Sequence, residues 1–174
     1  MKLIGKKIYL RPIAIEDACE EYVSWLNDAD VNQYLESRFV LATIENVKKF
    51  IESTLQSDCS YFFAIIDNAT NKHIGNIKIG TISNIHKRGD IGILIGNKNF
   101  WGKGIASEAI ELLTEFSFNV LNLNKVFAGC YANNIGSYKA FIKCGFQEEG
   151  LLKKHCLSSK GEVIDVYLLA KHKS

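Results

Sequence analysis

Two short stretches of this 174-residue chain carry residue types whose spacing suits chemistry. The first is Asn99-Phe-Trp-Gly102-Lys-Gly104-Ile-Ala106. It follows an apolar run, Ile91 to Ile95, and opens an amphipathic one, Ile105 to Leu121, so it predicts a strand, a glycine-rich turn and a helix. A turn of that kind presents main-chain N–H groups at a helix N-terminus, where unpaired donors and the helix dipole stabilise a phosphate or pyrophosphate. Gly102 and Gly104 remove side chains where an anion would approach the backbone, and Lys103 adds a cation. Taken alone, two glycines one residue apart also suit a plain tight turn. Rossmann and Walker A arrangements are set aside: no third glycine stands at the dinucleotide-binding spacing, and no Gly-Lys-Ser/Thr closes a loop.

The second stretch is Ala132-Asn133-Asn134-Ile-Gly-Ser137-Tyr138. It lies between a predicted strand, Val126 to Cys130, and a helix, Asn134 to Lys143, that stops at Cys144-Gly145. Asn133 or Asn134 suits a helix cap and can offer an amide to a peptide-like ligand arm. Ser137 and Tyr138 put hydroxyls in the helix's first turn. Glu108 is the acidic residue expected in the first turn of the helix from Ile105. His73, His86, His155 and His172 are scattered, and none pairs with a Cys or carboxylate at metal spacing, so no metal is expected.

The elements that must position these residues are those of one domain spanning 1–174. Hydrophobic residues make up 47% and charged residues 23%, ordinary for a soluble globular protein with a real core. Net charge is +2, from 21 basic and 19 acidic residues, too little to argue nucleic-acid binding. The five cysteines are widely spaced, with no CxxC pair, and fit reduced thiols acting as small hydrophobes. No apolar run suits a signal peptide or a membrane span, so a cytoplasmic location without membrane partner is the expectation.

Along the chain, Ile8 to Pro12 predicts a strand, and an apolar stripe from Ile15 to Leu26 predicts a helix. Asp30 to Leu35 suits a short second helix. Thr43 caps a third with Ile44, Val47, Phe50, Ile51 and Leu55 on its inner face. Strands follow at Tyr61–Asp67, His73–Ile82 and Gly89–Ile95. After the two chemical stretches come a strand, Glu149 to His155, and a final one, Val163 to Ala170, joined by a turn at Ser158 to Gly161. Early helices, an antiparallel meander, a βαβα unit and a closing hairpin give an α/β chain with one mixed sheet and helices on both faces.

Nearly the whole chain resembles the GCN5-related N-acetyltransferase (GNAT) superfamily, and within it the branch of ribosomal-protein alanine and spermidine acetyltransferases. Leu10-Arg11-Pro12 with Glu16-Asp17-Ala18 is similar to that branch's opening. Trp101-Gly102-Lys103-Gly104-Ile105-Ala106 with Glu108-Ala109 resembles its acetyl-CoA pyrophosphate motif. Asn134-x-x-Ser137 and Gly145-Phe146 are similar to the motif's second half. The resemblance implies an acyl-CoA N-acyltransferase fold: a central, mostly antiparallel sheet with a splayed parallel strand pair.

It further implies roles by position. The backbone from Trp101 to Ala106 would bind the pyrophosphate, with Asn99 where the family often has Gln or Arg. Gly92, Ile93, Leu94 and Ile95 would hold the pantetheine through their main chain, and Asn134 would help. An N–H on the Gly92–Leu94 strand would meet the oxyanion. A tyrosine that serves as acid in many members is replaced here by Phe141, so Ser137 is the expected acid, with Tyr138 or water as alternatives. A base or a water relay must take the amine's proton, and Asp90 is a candidate base, with a solvated turn residue as its equal alternative. Glu36, Arg38, His155, Glu162 and Asp165 are expected around the acceptor amine. That acceptor is a protein N-terminus first, a polyamine or amino-sugar second. A homodimer is expected by family habit and from pairing along an exposed final strand. A non-catalytic acyl-CoA sensor stays open as the alternative class, because of Phe141.

Overall fold

The computed structural model describes residues 1–173. Its strands are β1 (Leu3–Ile4), β2 (Ile8–Pro12), β3 (Tyr61–Asp67), β4 (His73–Ser83), β5 (Arg88–Ile95), β6 (Lys125–Tyr131), β7 (Gln147–Leu157) and β8 (Val163–His172). Its α-helices are α1 (Glu20–Asn27), α2 (Ala29–Asn32), α3 (Ile44–Leu55), α4 (Ile105–Asn119) and α5 (Ile135–Lys143). The strands form one sheet in the order β1-β2-β3-β4-β5-β6-β8-β7, antiparallel except for β5 with β6.

Helices cover both faces. Ile105, Ala109, Ile110, Leu113 and Phe116 of α4 recur at helical spacing and pack with Ile8, Leu10, Phe63 and Ile65 in the larger core. The opposite faces of the same strands, Phe62, Ala64 and Ile66, pack with Tyr22 and Trp25 of α1 and Val47 and Ile51 of α3. A strand covered on both sides gains nothing from alternation, so Phe62–Ile66 of β3 is apolar at both parities, while β4 keeps Asn76 and Lys78 on one of them. Thr43 and Asn46 form a reciprocal cap on α3: Thr43 Oγ1 accepts from Asn46 N–H at 3.2 Å, and Asn46 Oδ1 accepts from Thr43 N–H at 2.8 Å.

Three expectations are corrected, and one expected strand, Glu149 to His155, is found within a longer and bulged β7. The stripe from Ile15 to Leu26 is two pieces: a 3-10 turn at Ile15–Asp17, then α1 after extended Cys19. The break arises because the Asp17 carboxylate is engaged locally, accepting from Ala14 N–H at 2.8 Å and from both Arg11 terminal nitrogens at 2.6 and 2.7 Å. The helix expected from Asp30 to Leu35 ends at Asn32, and Glu36–Phe39 forms a separate 3-10 turn. β7 bulges between Leu152 and Cys156, where Lys154 has φ 51°. Last, the final strand is no edge: β8 is inserted between β6 and β7, so the free edges of the sheet are β1 and β7. Among the described residues no helix is long and apolar enough to cross a membrane.

Candidate active site

The chain leaves β5 at Ile95 and turns through Gly102 and Gly104, whose φ angles of 70° and 80° lie in the left-handed region that other residues avoid. Gly104 is the N-cap of α4 and brings no side-chain cap. The first main-chain bond of the helix is Glu108 N–H to Gly104 O at 3.2 Å, so the preceding N–H groups have no helical acceptor. A Cβ placed on Gly102 would meet nothing within 4 Å, so the turn faces open space. Trp101 fixes the turn by donating its indole N–H to Ile95 O at 2.8 Å.

Beside this turn β5 and β6 part. They pair only at Arg88↔Lys125, Gly89↔Val126 and Asp90↔Phe127, yet β5 runs on to Ile95 and β6 to Tyr131. On its other edge β5 stays paired with β4, and Gly96 N–H bonds Ile74 O at 3.0 Å. By antiparallel alternation, Gly92 and Leu94 direct their main-chain groups at β4, while those of Ile91, Ile93 and Ile95 turn to the slot. The slot and the turn are one continuous cleft of about 880 Å³. Gly92, Ile93, Leu94, Ile95, Trp101, Gly102, Gly104, Ile105 and Ala106 line it from one side, and Asn134, Ser137 and Phe141 from the other.

The expected site residues divide at this cleft. Asn134 caps α5, its Oδ1 accepting from Ser137 N–H at 3.2 Å. Ser137 sits against Cys130 on the cleft wall; burial pushes the Cys130 thiol up, and the Ser137 hydrogen bond opposes it. Phe141 is buried against Phe146, ring centroids 4.9 Å apart, and supplies an apolar wall without a hydroxyl. Tyr138, one residue further round the helix than Ser137, points elsewhere. Its hydroxyl donates to Glu148 and its ring packs on Tyr167, so it is outside the cleft lining.

Asp90 also stands off the wall, at the last paired rung where the slot closes. Burial pushes its carboxyl up, and Lys78 opposes. Asn99 and Lys103 do not line the cleft either. Asn99 N–H is held by Asn97 Oδ1 at 3.1 Å, and the Lys103 ammonium lies 5.5 Å from the Phe100 ring centroid. Lys7, which the sequence does not single out, reaches the turn: its ammonium donates to Lys103 O at 2.8 Å. Glu108 accepts from Lys7 N–H at 2.8 Å and so ties α4 to the β1–β2 turn.

At the other end of the cleft, Asp30, Gln33, Tyr34 and Leu35 face Tyr131. Tyr34 donates its hydroxyl to Asn133 O at 3.2 Å and packs its ring 5.9 Å from that of Tyr131. Tyr131 donates to Glu36, and Arg38 donates to Tyr131 Oη at 3.3 Å, to Leu35 O at 2.5 Å and to Leu157 O at 2.5 Å. The Arg38 side chain is 2% exposed, so it is a buried strut rather than a cleft residue, while Glu36 beside it is open to water. Three further expected acceptor residues are not brought to the cleft. His155 is exposed in the β7 bulge, and Glu162 is in the β7–β8 turn, its N–H on Ser158 Oγ. Asp165 accepts from Lys154 N–H at 2.7 Å, which with Lys153 holds its carboxyl below the usual range. Tyr34, Cys130 and Tyr131 line the cleft without having been marked by sequence; an aromatic two residues before the Asn133-Asn134 pair is the one signal that was there. Among the described residues no cluster of three metal-ligating side chains occurs.

Comparison with known proteins agrees with this geometry. A family model described as acetyltransferase (GNAT) domain matches residues 7–147. An uncharacterized N-acetyltransferase of Bacillus licheniformis is 32% identical over 171 residues, covering 97% of this chain and 94% of its own. The structure of spermidine N-acetyltransferase from Vibrio cholerae in complex with CoA and spermine matches with a TM-score of 0.85 at 22% identity, over 97% of this chain and 96% of that one. Ribosomal-protein-S5-alanine acetyltransferase from Vibrio fischeri matches with a TM-score of 0.83 at 21% identity, over 99% and 96%. Likeness at such identities establishes a shared fold.

Proposed function

The chain belongs to the GNAT acetyltransferase family, and from that premise we propose that its cleft transfers acetyl from acetyl-CoA to a primary amine carrying a single positive charge, a protein N-terminus first. One observation carries this: the slot between diverging β5 and β6 opens directly onto the uncapped N-terminus of α4. The residues present fit the cofactor. Two positive-φ glycines with free space before Gly102 suit a pyrophosphate, and unpaired strand amides suit a pantetheine.

Bound acetyl-CoA supplies the activated acetyl thioester. The backbone from Trp101 to Ala106 would hold the diphosphate, with Lys7 as the nearby cation. Main-chain groups of Ile93 would hold the arm, and its N–H would meet negative charge developing on the carbonyl oxygen. Asn134 has its amide nitrogen left for the arm, since only its oxygen caps α5. Ser137 would return a proton to the departing thiolate, and Phe141 would keep water from that end.

The single-charge acceptor follows from the carboxylates. A polyamine needs several to meet its charges. Here Asp30 is tied to Lys98 at 3.1 Å, Asp165 is tied at Lys153 and Lys154, and Glu162 is in the hairpin turn. Glu36 is left as the exposed carboxylate near the acceptor end. The test is thiol release from acetyl-CoA against N-terminal peptides, spermidine and glucosamine. Peptides beginning with small residues should be preferred by kcat/KM. Spermidine as the best acceptor would overturn the acceptor assignment, and tight acetyl-CoA binding with no turnover on any amine would favour a sensor.

A further inference from the structure

Resting on the amine-acetylation reading, we propose that Tyr131 is a catalytic residue that, with Glu36, carries the acceptor's proton out of the cleft. Tyr131 stands at the C-terminal end of β6, on the far side of the splay from β5, and lines the cleft. Its hydroxyl is not idle: it donates to a Glu36 carboxylate oxygen and accepts from Arg38. Glu36 has one face on that hydroxyl and the rest of its carboxylate in water, with 78% of the side chain exposed. A tyrosine in the cleft lining whose hydroxyl bonds a carboxylate open to solvent is a path for one proton from inside to outside.

The groups packed around Tyr131 support this arrangement. Glu36 and Arg38 approach from the Glu36–Phe39 turn, Tyr34 from the segment before it and Cys156 from β7, while Cys130 precedes it on its own strand. Burial foremost, and then the Glu36 bond, push the phenol up, so Tyr131 keeps its proton and serves as a relay rather than a phenolate base. Arg38, clamped by the carbonyls of Leu35 and Leu157, lies 3.6 Å from the Glu36 carboxylate and holds it in place.

The balance is simple. The acceptor, singly charged in bulk water, gives that proton to solvent as it enters the cleft, and the lone pair of the neutral amine forms the new C–N bond. As that pair is committed, the nitrogen becomes far more acidic than a free ammonium, so a carboxylate is basic enough to receive its proton. The nitrogen's proton passes to Tyr131 Oη while the phenol's own proton passes to Glu36. Glu36 releases it to water, and the departing sulfur is protonated separately, from Ser137 or solvent.

The test uses the whole protein with acetyl-CoA and its best peptide acceptor. Tyr131→Phe and Glu36→Gln should each lower kcat by roughly 100-fold, with acetyl-CoA affinity by calorimetry unchanged. The double variant should be no slower than either single one, since a broken relay cannot be broken twice. A small carboxylate or imidazole buffer should partly restore Glu36→Gln. Independent, multiplicative losses, or a rise in acceptor KM with kcat intact, would overturn the relay and leave Glu36 as a binding group only. Failure of the unmodified protein to bind acetyl-CoA or to acetylate any amine would instead sink the reading on which the relay rests.

Discussion

The two ends of the cleft are built by different means. The cofactor end is made of backbone: a strand edge from Ile91 to Ile95, two left-handed glycines and an uncapped helix start, within 16 consecutive residues of one another. The acceptor end is made of side chains from distant parts of the chain. Tyr131 meets Glu36 at a separation of 95 residues, and Arg38 meets Leu157 at 119. Backbone recognition needs only conformation, so it tolerates any side chain that allows the turn. Side-chain recognition needs each partner present and held. It follows that the first end should be broken by backbone strain and the second by loss of single functional groups.

The largest expected effect tests the backbone end. Gly104→Val forces a β-branched residue to φ 80°, at a strain of about 1–3 kcal/mol placed on the diphosphate-binding turn. Acetyl-CoA affinity should fall by roughly 100-fold in calorimetry, with the far-ultraviolet circular dichroism retained. Unchanged affinity would mean the helix start is no anion site.

Next comes the buried carboxylate of the turn that leads into α1. Burial pushes the Asp17 carboxyl up, but hydrogen bonds from Arg11 and Ala14 N–H more than offset this and leave it lowered. A lowered folded value means the stabilisation is full above the ordinary carboxylate pKa of about 3.9 and is lost as pH falls through the folded value. Asp17→Asn should therefore cost about 2 kcal/mol at pH 7, seen in urea unfolding. The difference from the unmodified protein should vanish in acid.

Adjacent hydroxyls then separate wall from surface. Ser137→Ala should lower kcat about 10-fold at unchanged acetyl-CoA affinity, by removing the hydroxyl on the cleft wall. Tyr138→Phe, which loses only an exposed bond to Glu148, should leave kcat within about two-fold. Reversed magnitudes would place the acid on Tyr138 and break the geometric distinction.

The smallest effect concerns Asp90. Its carboxyl is raised by burial, so the folded protein holds this proton more tightly than the unfolded chain. Stability therefore decreases as pH climbs between the two values, and ionised Asp90 is a net cost at neutrality. Asp90→Asn should raise Tm at pH 7 by about 2–4 °C, with activity kept. A large drop in kcat would restore Asp90 as the base.

The same division explains what could be foreseen. The strand–turn–helix around Gly102 and Gly104 and the Asn134–Ser137 helix start are local. Apolar periodicity and turn chemistry write them into neighbouring residues, so both are legible from the chain alone. Ser137 and Tyr138 are indistinguishable by type and place in sequence. A 100° step around α5 decides that one lines the cleft and the other meets Glu148. His155, Glu162 and Asp165 are plausible on composition, yet the bulge and the hairpin turn spend them elsewhere.

Local pattern by itself determined most of the elements, the glycine turn and the two-faced sheet, because helix stripes, strand runs and positive-φ positions depend on near neighbours. Only the tertiary structure decided where β8 inserts, how far β5 and β6 separate, and that Tyr131, Glu36 and Arg38 converge. Those outcomes depend on pairing and packing between segments about a hundred residues apart, and no spacing within any one segment encodes them.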